Sequence, residues 1–212
     1  MNRDAPSVNK NALKKDDLQR VTGFAAAPAA QTSPQAEALI VQIRESARYL
    51  YETRQMLCAE AVLAALNSGL HGGLSQAQVI AMAAPFCVAM GDSGCLCGAL
   101  SGAVMGCGLL SGGERPYRRR RQLRADARHL HDAFKAAYGA TCCRVLSKKV
   151  KHDSKAHFQQ CAGLTAGAAE LAAREILRQR PDLSGKADQQ FLTGRHSRMV
   201  GALLRLLHYF LR

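Results

Sequence analysis

The sequence predicts an all-α protein: a compact helical bundle with a flexible N-terminal tail and a basic C-terminal helical extension. Three observations carry that reading. Of the 212 residues, 48% are apolar and only 5% aromatic, so the core draws on Ala, Leu and Val rather than on the Thr, Tyr and Phe that enrich sheets. Prolines are scarce beyond residue 34, with only Pro85, Pro116 and Pro181 following. Ala- and Leu-rich windows repeat their apolar positions at helical spacing along most of the chain.

Residues 1–34 read as a flexible tail, polar at first and then the Pro/Ala-rich FAAAPAAQTSP. Ser33 is an N-cap with Pro34 at the first helical position, and Leu39, Ile40, Ile43, Ala47 and Leu50 form one helical face. A second helix holds Met56 to Leu66 and closes at Asn67-Ser68-Gly69. A third opens at Ser75 and is bent or broken by Pro85. The stretch GDSGCLCGALSGAVMGCGLL, residues 91–110, supplies a fourth, starting near Cys95 or Cys97 and ending before Gly112-Gly113. GGERPYRRRR turns into a helix over 122–138, which Gly139 interrupts. ATCCRVL is a short helical piece, and SKKVKHDSKAH a polar loop. A long helix runs from Phe158 to Gln179, stopped at Pro181, and residues 188–211 form a last amphipathic helix with Phe191 and Leu203 on its apolar side. The expected organisation is a tail (1–34), a helical cysteine-bearing domain (35–180) and a basic amphipathic C-terminal helix (181–212).

Charge divides the chain unevenly. Residues 1–112 carry 8 Lys/Arg and 8 Asp/Glu, whereas residues 113–212 carry 21 and 8, so the whole net charge of +13 lies in the second half. Such a surplus attracts phosphates, acidic proteins or anionic headgroups. Nucleic acid is the competing partner class for RRRRQLR and KKVKHDSK, but the interleaved aromatics that stack bases are absent. The last helix is a candidate face for a homodimer or an anionic surface. His129, His131, His152 and His157 stand in polar, Arg- and Lys-rich surroundings and read as solvated. The N-terminal residues contain no signal-peptide core, and no apolar run reaches the length of a membrane span, so a cytoplasmic protein is expected. No acid–base pair, nucleophile–base couple or phosphate loop stands out, which argues against hydrolase or kinase chemistry.

The eight cysteines therefore carry the chemistry. In a reducing compartment they point to metal or redox use before a disulfide scaffold, the alternative being small buried core residues. No CxxC or CxxCH occurs, so zinc-finger, thioredoxin and c-type haem signatures are excluded. Gly94, Gly98, Gly102 and Gly106 recur four apart, one smooth helical stripe for close packing or for a bound group. Cys95 or Cys97 falls in the first turn of that helix, where unpaired N–H groups favour a thiolate. Cys107 lies on a different face and reads as packing.

Cys58 followed by AEAVLAAL, then CGALSG at 97–102, YGATCCRVL at 138–146 and finally Cys161 resemble the C_GCAxxG_C_C family, whose redox-active members carry a CGAxxG motif and four characteristic cysteines. The resemblance covers roughly residues 36–180. Carried over position by position, it implies Cys58, Cys97, Cys143 and Cys161 as the functional set, with Cys143 preferred to Cys142 because Arg and then Leu follow it. The additional Cys95 and Cys142 leave an alternative open, in which either takes the place of its neighbour. What the resemblance implies is electron transfer or redox sensing with a redox partner protein. The four thiolates would hold an iron–sulfur cluster or another metal, or work as metal-free dithiol/disulfide couples.

Overall fold

The computed structural model describes residues 33–186 together with Phe191. Every regular element among them is helical, in eight α-helical segments joined by short 3-10 turns. The expected last helix over 188–211 and nearly all of the expected tail lie outside the described residues.

Helix α1 (Pro34–Glu52) begins where its capping chemistry dictates: the Ser33 hydroxyl accepts the Ala36 N–H at 3.2 Å, with Pro34 as the first helical residue. Its Leu39, Ile40, Ile43 and Ala47 are fully buried. Helix α2 (Cys58–Gly69) starts with Glu60 accepting the Leu57 N–H at 2.8 Å. Asn67 then pins the following turn through two 2.9 Å bonds to the Leu74 backbone. Ser75 and Gln78 form a capping box on α3 (Gln76–Ala83), which gives way to a 3-10 turn at Pro85.

The segment that follows, α4 (Cys87–Asp92), is left-handed: Val88 to Gly91 have φ from 50° to 62° and ψ from 42° to 65°. For L-residues that handedness costs about 1–2 kcal/mol each, a local conflict of the kind held in place by surrounding packing. It swings the chain from Cys87 towards α5 (Gly98–Gly112). Helix α6 (Arg120–Tyr138) starts two residues earlier than the sequence predicts and ends at Gly139, whose φ of 81° needs glycine. After α7 (Cys143–Leu146) comes α8 (Ser154–Gln179). It begins four residues before the expected Phe158, because Asp153 accepts the Lys155 and Ala156 N–H groups at 3.0 Å. A polar run here hides a helix start.

Helix α5 is the centre, packed against α2, α6 and α8, while α1 closes over α2 and α8. Its small-residue stripe is the α2–α5 seam. A Cβ on Gly102 would stand 2.5 Å from the Ala59 carbonyl oxygen, and one on Gly106 2.5 Å from Leu66 Cδ1. Gly94 does not share the stripe. It lies in the loop before α5 with φ 92°, pressed against the Arg144 guanidinium, because the left-handed turn postpones the helix start to Gly98. On the far side, Arg174 ties α8 to α1 by donating to both Glu37 carboxylate oxygens at 2.8 and 2.6 Å.

Candidate functional site

Three helix beginnings converge at one end of the bundle. Cys58 is the first residue of α2, Cys97 caps α5, and Cys143 is the first residue of α7. Cys161 joins them from α8, and Cys87 from the turn after Pro85. The missing side chain of Gly98 makes the approach possible: a Cβ there would stand 2.5 Å from Cys58 Sγ, 2.8 Å from the Phe86 carbonyl and 3.5 Å from Cys87 Cα. The first glycine of the stripe is thus the floor on which Cys58 and Cys87 meet.

The two thiols lie close enough to shift each other's titration in opposite directions. The Cys87 thiol donates to the Ala83 carbonyl at 3.6 Å. The closeness of Cys87 draws the Cys58 thiol below its usual pKa; burial opposes the shift, and the Val88 and Ala59 N–H groups reinforce it. Cys87 moves the other way, raised first by its closeness to Cys58 and then by burial, although the Glu60 and Ala59 N–H groups oppose the shift. Cys58 is therefore the more acidic thiol of the pair. Both sulfurs sit at the N-terminus of α2, where the unpaired amides favour a thiolate.

The expectation of a thiolate at the start of the glycine-rich helix is corrected. Cys95 is not a free thiol there, and the Cys97 thiol is buried, 4% exposed, and pushed up to about 11 by that burial, against the pull of the Leu100 and Ala99 N–H groups. Desolvation outweighs the helix end. Burial also raises Cys143 and Cys161, the latter against a hydrogen bond from the Tyr51 hydroxyl. Cys107, buried beside Ser111 at 3.9 Å, is pushed up to about 11 and takes the packing role predicted for it.

Cys95 and Cys142 form a disulfide with each other rather than standing in for a neighbour. Backbone pairing flanks the bond on both sides, with the Cys97 N–H donating to the Thr141 carbonyl at 2.8 Å and the Arg144 N–H to the Gly94 carbonyl at 3.0 Å. The histidines nearest the basic helix take structural partners: His129 Nδ1 lies 2.9 Å from the buried Glu175 carboxylate and His131 Nδ1 2.9 Å from Asp132.

Cys58, Cys97, Cys143 and Cys161 do share a neighbourhood. The Cys97 thiol is influenced by Cys143 and Cys161, and Tyr51 by Cys161, Cys58 and Cys143. Their sulfur donors are of the type that holds a cluster. Among the described residues no three Cys, His, Asp or Glu side chains are gathered so as to hold a metal ion.

Residues 56–175 match a family described as "Putative redox-active protein (C_GCAxxG_C_C)". That is more than half of the chain. The chain belongs to the C_GCAxxG_C_C family. The matched span runs from α2 through most of α8 and takes in every cysteine. No curated protein and no solved structure matches the chain. Sequence reasoning left two members of the site out, Cys87 and Tyr51. Cys87 had one usable signal, its place directly after a proline break, whereas Tyr51 is brought in only by the packing of α1 on α8, which stacks its ring on Phe158 at 5.2 Å. Among the described residues no helix is long and apolar enough to cross a membrane.

Proposed function

We propose that this protein carries out thiol–disulfide exchange through a Cys58/Cys87 couple. The observation that supports it is the meeting of Cys58 and Cys87 over Gly98, where Cys58, alone among the free thiols with a shifted pKa, is shifted downward. The Cys58 thiolate attacks one sulfur of a partner disulfide, forming a mixed disulfide and expelling the partner's other sulfur as a thiolate, which takes up a proton. Cys87 gives up its proton and attacks Cys58 Sγ, releasing the partner's second thiol. The partner is reduced by two electrons, and Cys58–Cys87 becomes a disulfide. Leu57 and Val88, direct chain neighbours of the two cysteines, are 48% and 55% exposed and offer apolar surface where a redox partner docks. A reducing compartment such as the cytoplasm suits a couple that must return to its dithiol form.

The second reading keeps Cys58, Cys97, Cys143 and Cys161 as ligands of an iron–sulfur cluster or other metal, and its support is their shared neighbourhood. One preparation separates the two. After anaerobic purification, an absorption spectrum, metal analysis and peptide mapping following a mild oxidant are recorded. The exchange reading expects a colourless, metal-free protein that yields a Cys58–Cys87 disulfide. Stoichiometric iron or zinc released together with the four thiols would replace it by the metal reading.

A further inference from the structure

Three of the eight cysteines are unused by either reading: Cys107, which packs in the core, and the two that are bonded to each other. Cys95 is exposed and Cys142 half-buried, while six free cysteines lie in the same fold. A scaffold stabilised by oxidation would pair its thiols generally. One surface disulfide beside a cluster of free thiols instead has the character of a bond that opens and closes.

We propose that Cys95–Cys142 is a second redox couple, a surface site at which an external dithiol exchanges electrons with this protein. The bond joins the loop ahead of α5 to the start of α7, and each of its cysteines is close in sequence to one of the deeper thiols: Cys95 to Cys97, Cys142 to Cys143. Attack falls on Cys95, the more exposed residue of the pair. A thiolate of the incoming dithiol bonds to Cys95 Sγ, and Cys142 leaves as a thiolate. The reductant's second thiol then loses its proton and attacks the mixed disulfide at its own sulfur, releasing Cys95. The reductant ends as a disulfide, and Cys95 and Cys142 end as two thiols after taking up the two protons it gave.

Arg144 assists departure of the thiolate. It is two residues from Cys142, its Nη2 donates to the Ser93 carbonyl at 2.6 Å, and its guanidinium presses on Gly94, next to Cys95. Positive charge beside a nascent thiolate stabilises it. Exposed Lys148 and Lys149 extend that charge and favour an acidic dithiol partner. With the bond closed, the flanking backbone pairs keep Cys97 and Cys143 packed beneath it. Once open, the 93–97 segment is free to move, and Cys97 becomes reachable.

The test is a redox titration of the native full chain with dithiothreitol and its oxidised form, quenched with iodoacetamide and read by peptide mass, with circular dichroism recorded in parallel. Cys95 and Cys142 are expected to gain their labels together, in one two-electron transition, while the helical signal is unchanged. Cys97 labelling is expected to speed up several-fold on the reduced side. Labels that appear on Cys95 and Cys142 only when the helices are lost would show a purely structural disulfide and overturn the proposal, as would full labelling before any dithiothreitol is added. In Cys95→Ser, Cys142 should label without dithiothreitol, and an unchanged Cys97 rate there would overturn the coupling between bond and buried thiol. The couple does not rest on Cys58 and Cys87, which are read from separate peptides, so either assignment can fail alone.

Discussion

Replacing Gly102 with alanine puts a methyl group where α2 already stands. In a free helix the change would gain about 0.5–1 kcal/mol, because alanine loses less backbone entropy than glycine. Here the new Cβ lies 2.5 Å from the Ala59 carbonyl oxygen, 3.1 Å from Ala59 Cα and 3.1 Å from Val62 Cβ. Two of these are backbone atoms, so no side chain can rotate away and α2 must be pushed off α5. Overpacking of this sort costs about 1–3 kcal/mol, leaving Gly102→Ala less stable by about 0–2.5 kcal/mol net of the helix gain. For a chain of this length each kcal/mol moves Tm by about 2–4 °C. Gly108 is the internal control, since it lies in the same helix and a Cβ there meets nothing within 4 Å. Gly108→Ala is expected to raise stability by about 0.5–1 kcal/mol. Urea and thermal unfolding followed by far-UV circular dichroism decide the matter. A Gly102→Ala protein as stable as Gly108→Ala would refute the seam.

Other expectations follow from the same contacts. Glu37 is held below the ordinary 4.5 by its hydrogen bonds from Arg174. Burial pushes Glu175 up, but Arg178, Gln179 and His129 more than offset it and leave its carboxyl low. Both carboxylates therefore contribute stability that is present above 4.5 and is lost as pH falls through their lowered values. Urea midpoints measured from neutral to strongly acidic pH should drop in that window, and the Glu175→Gln variant should show a shallower drop. Tyr51→Phe keeps the stacked ring but removes the hydroxyl bond that lowers the Cys161 thiol, so Cys161 should titrate higher and alkylate more slowly at neutral pH. An unchanged Cys161 rate would show that the hydroxyl does not reach the sulfur.

The helices themselves were legible because their signals are local. Ser33-Pro34, Ser75 with Gln78, Pro85 and Gly139 each act within a turn of chain, and each marks a boundary in the structure. Asp153 was missed for the same reason in reverse, as its capping role was masked by the lysines around it. The site was legible as a set of cysteines but not as a set of roles. Periodicity places Cys97 at a helix start and says nothing of what covers it, yet burial is the stronger influence on its thiol. The Cys58–Cys87 approach is set by the packing of α3 and the turn at Pro85 against α2 and Gly98, contacts between elements that no local signal announces. The Cys95–Cys142 bond joins positions 47 residues apart, a distance over which spacing carries no information.

The most direct test of the account is the pH dependence of alkylation at each cysteine of the fully reduced protein, with iodoacetamide as the probe and peptide mass as the readout. The account predicts that Cys58 reacts first, with a midpoint below the ordinary 9.0, and that Cys97 trails with a midpoint near 11. A Cys58 midpoint at or above 9.0, or Cys97 overtaking Cys58 at neutral pH, would contradict it.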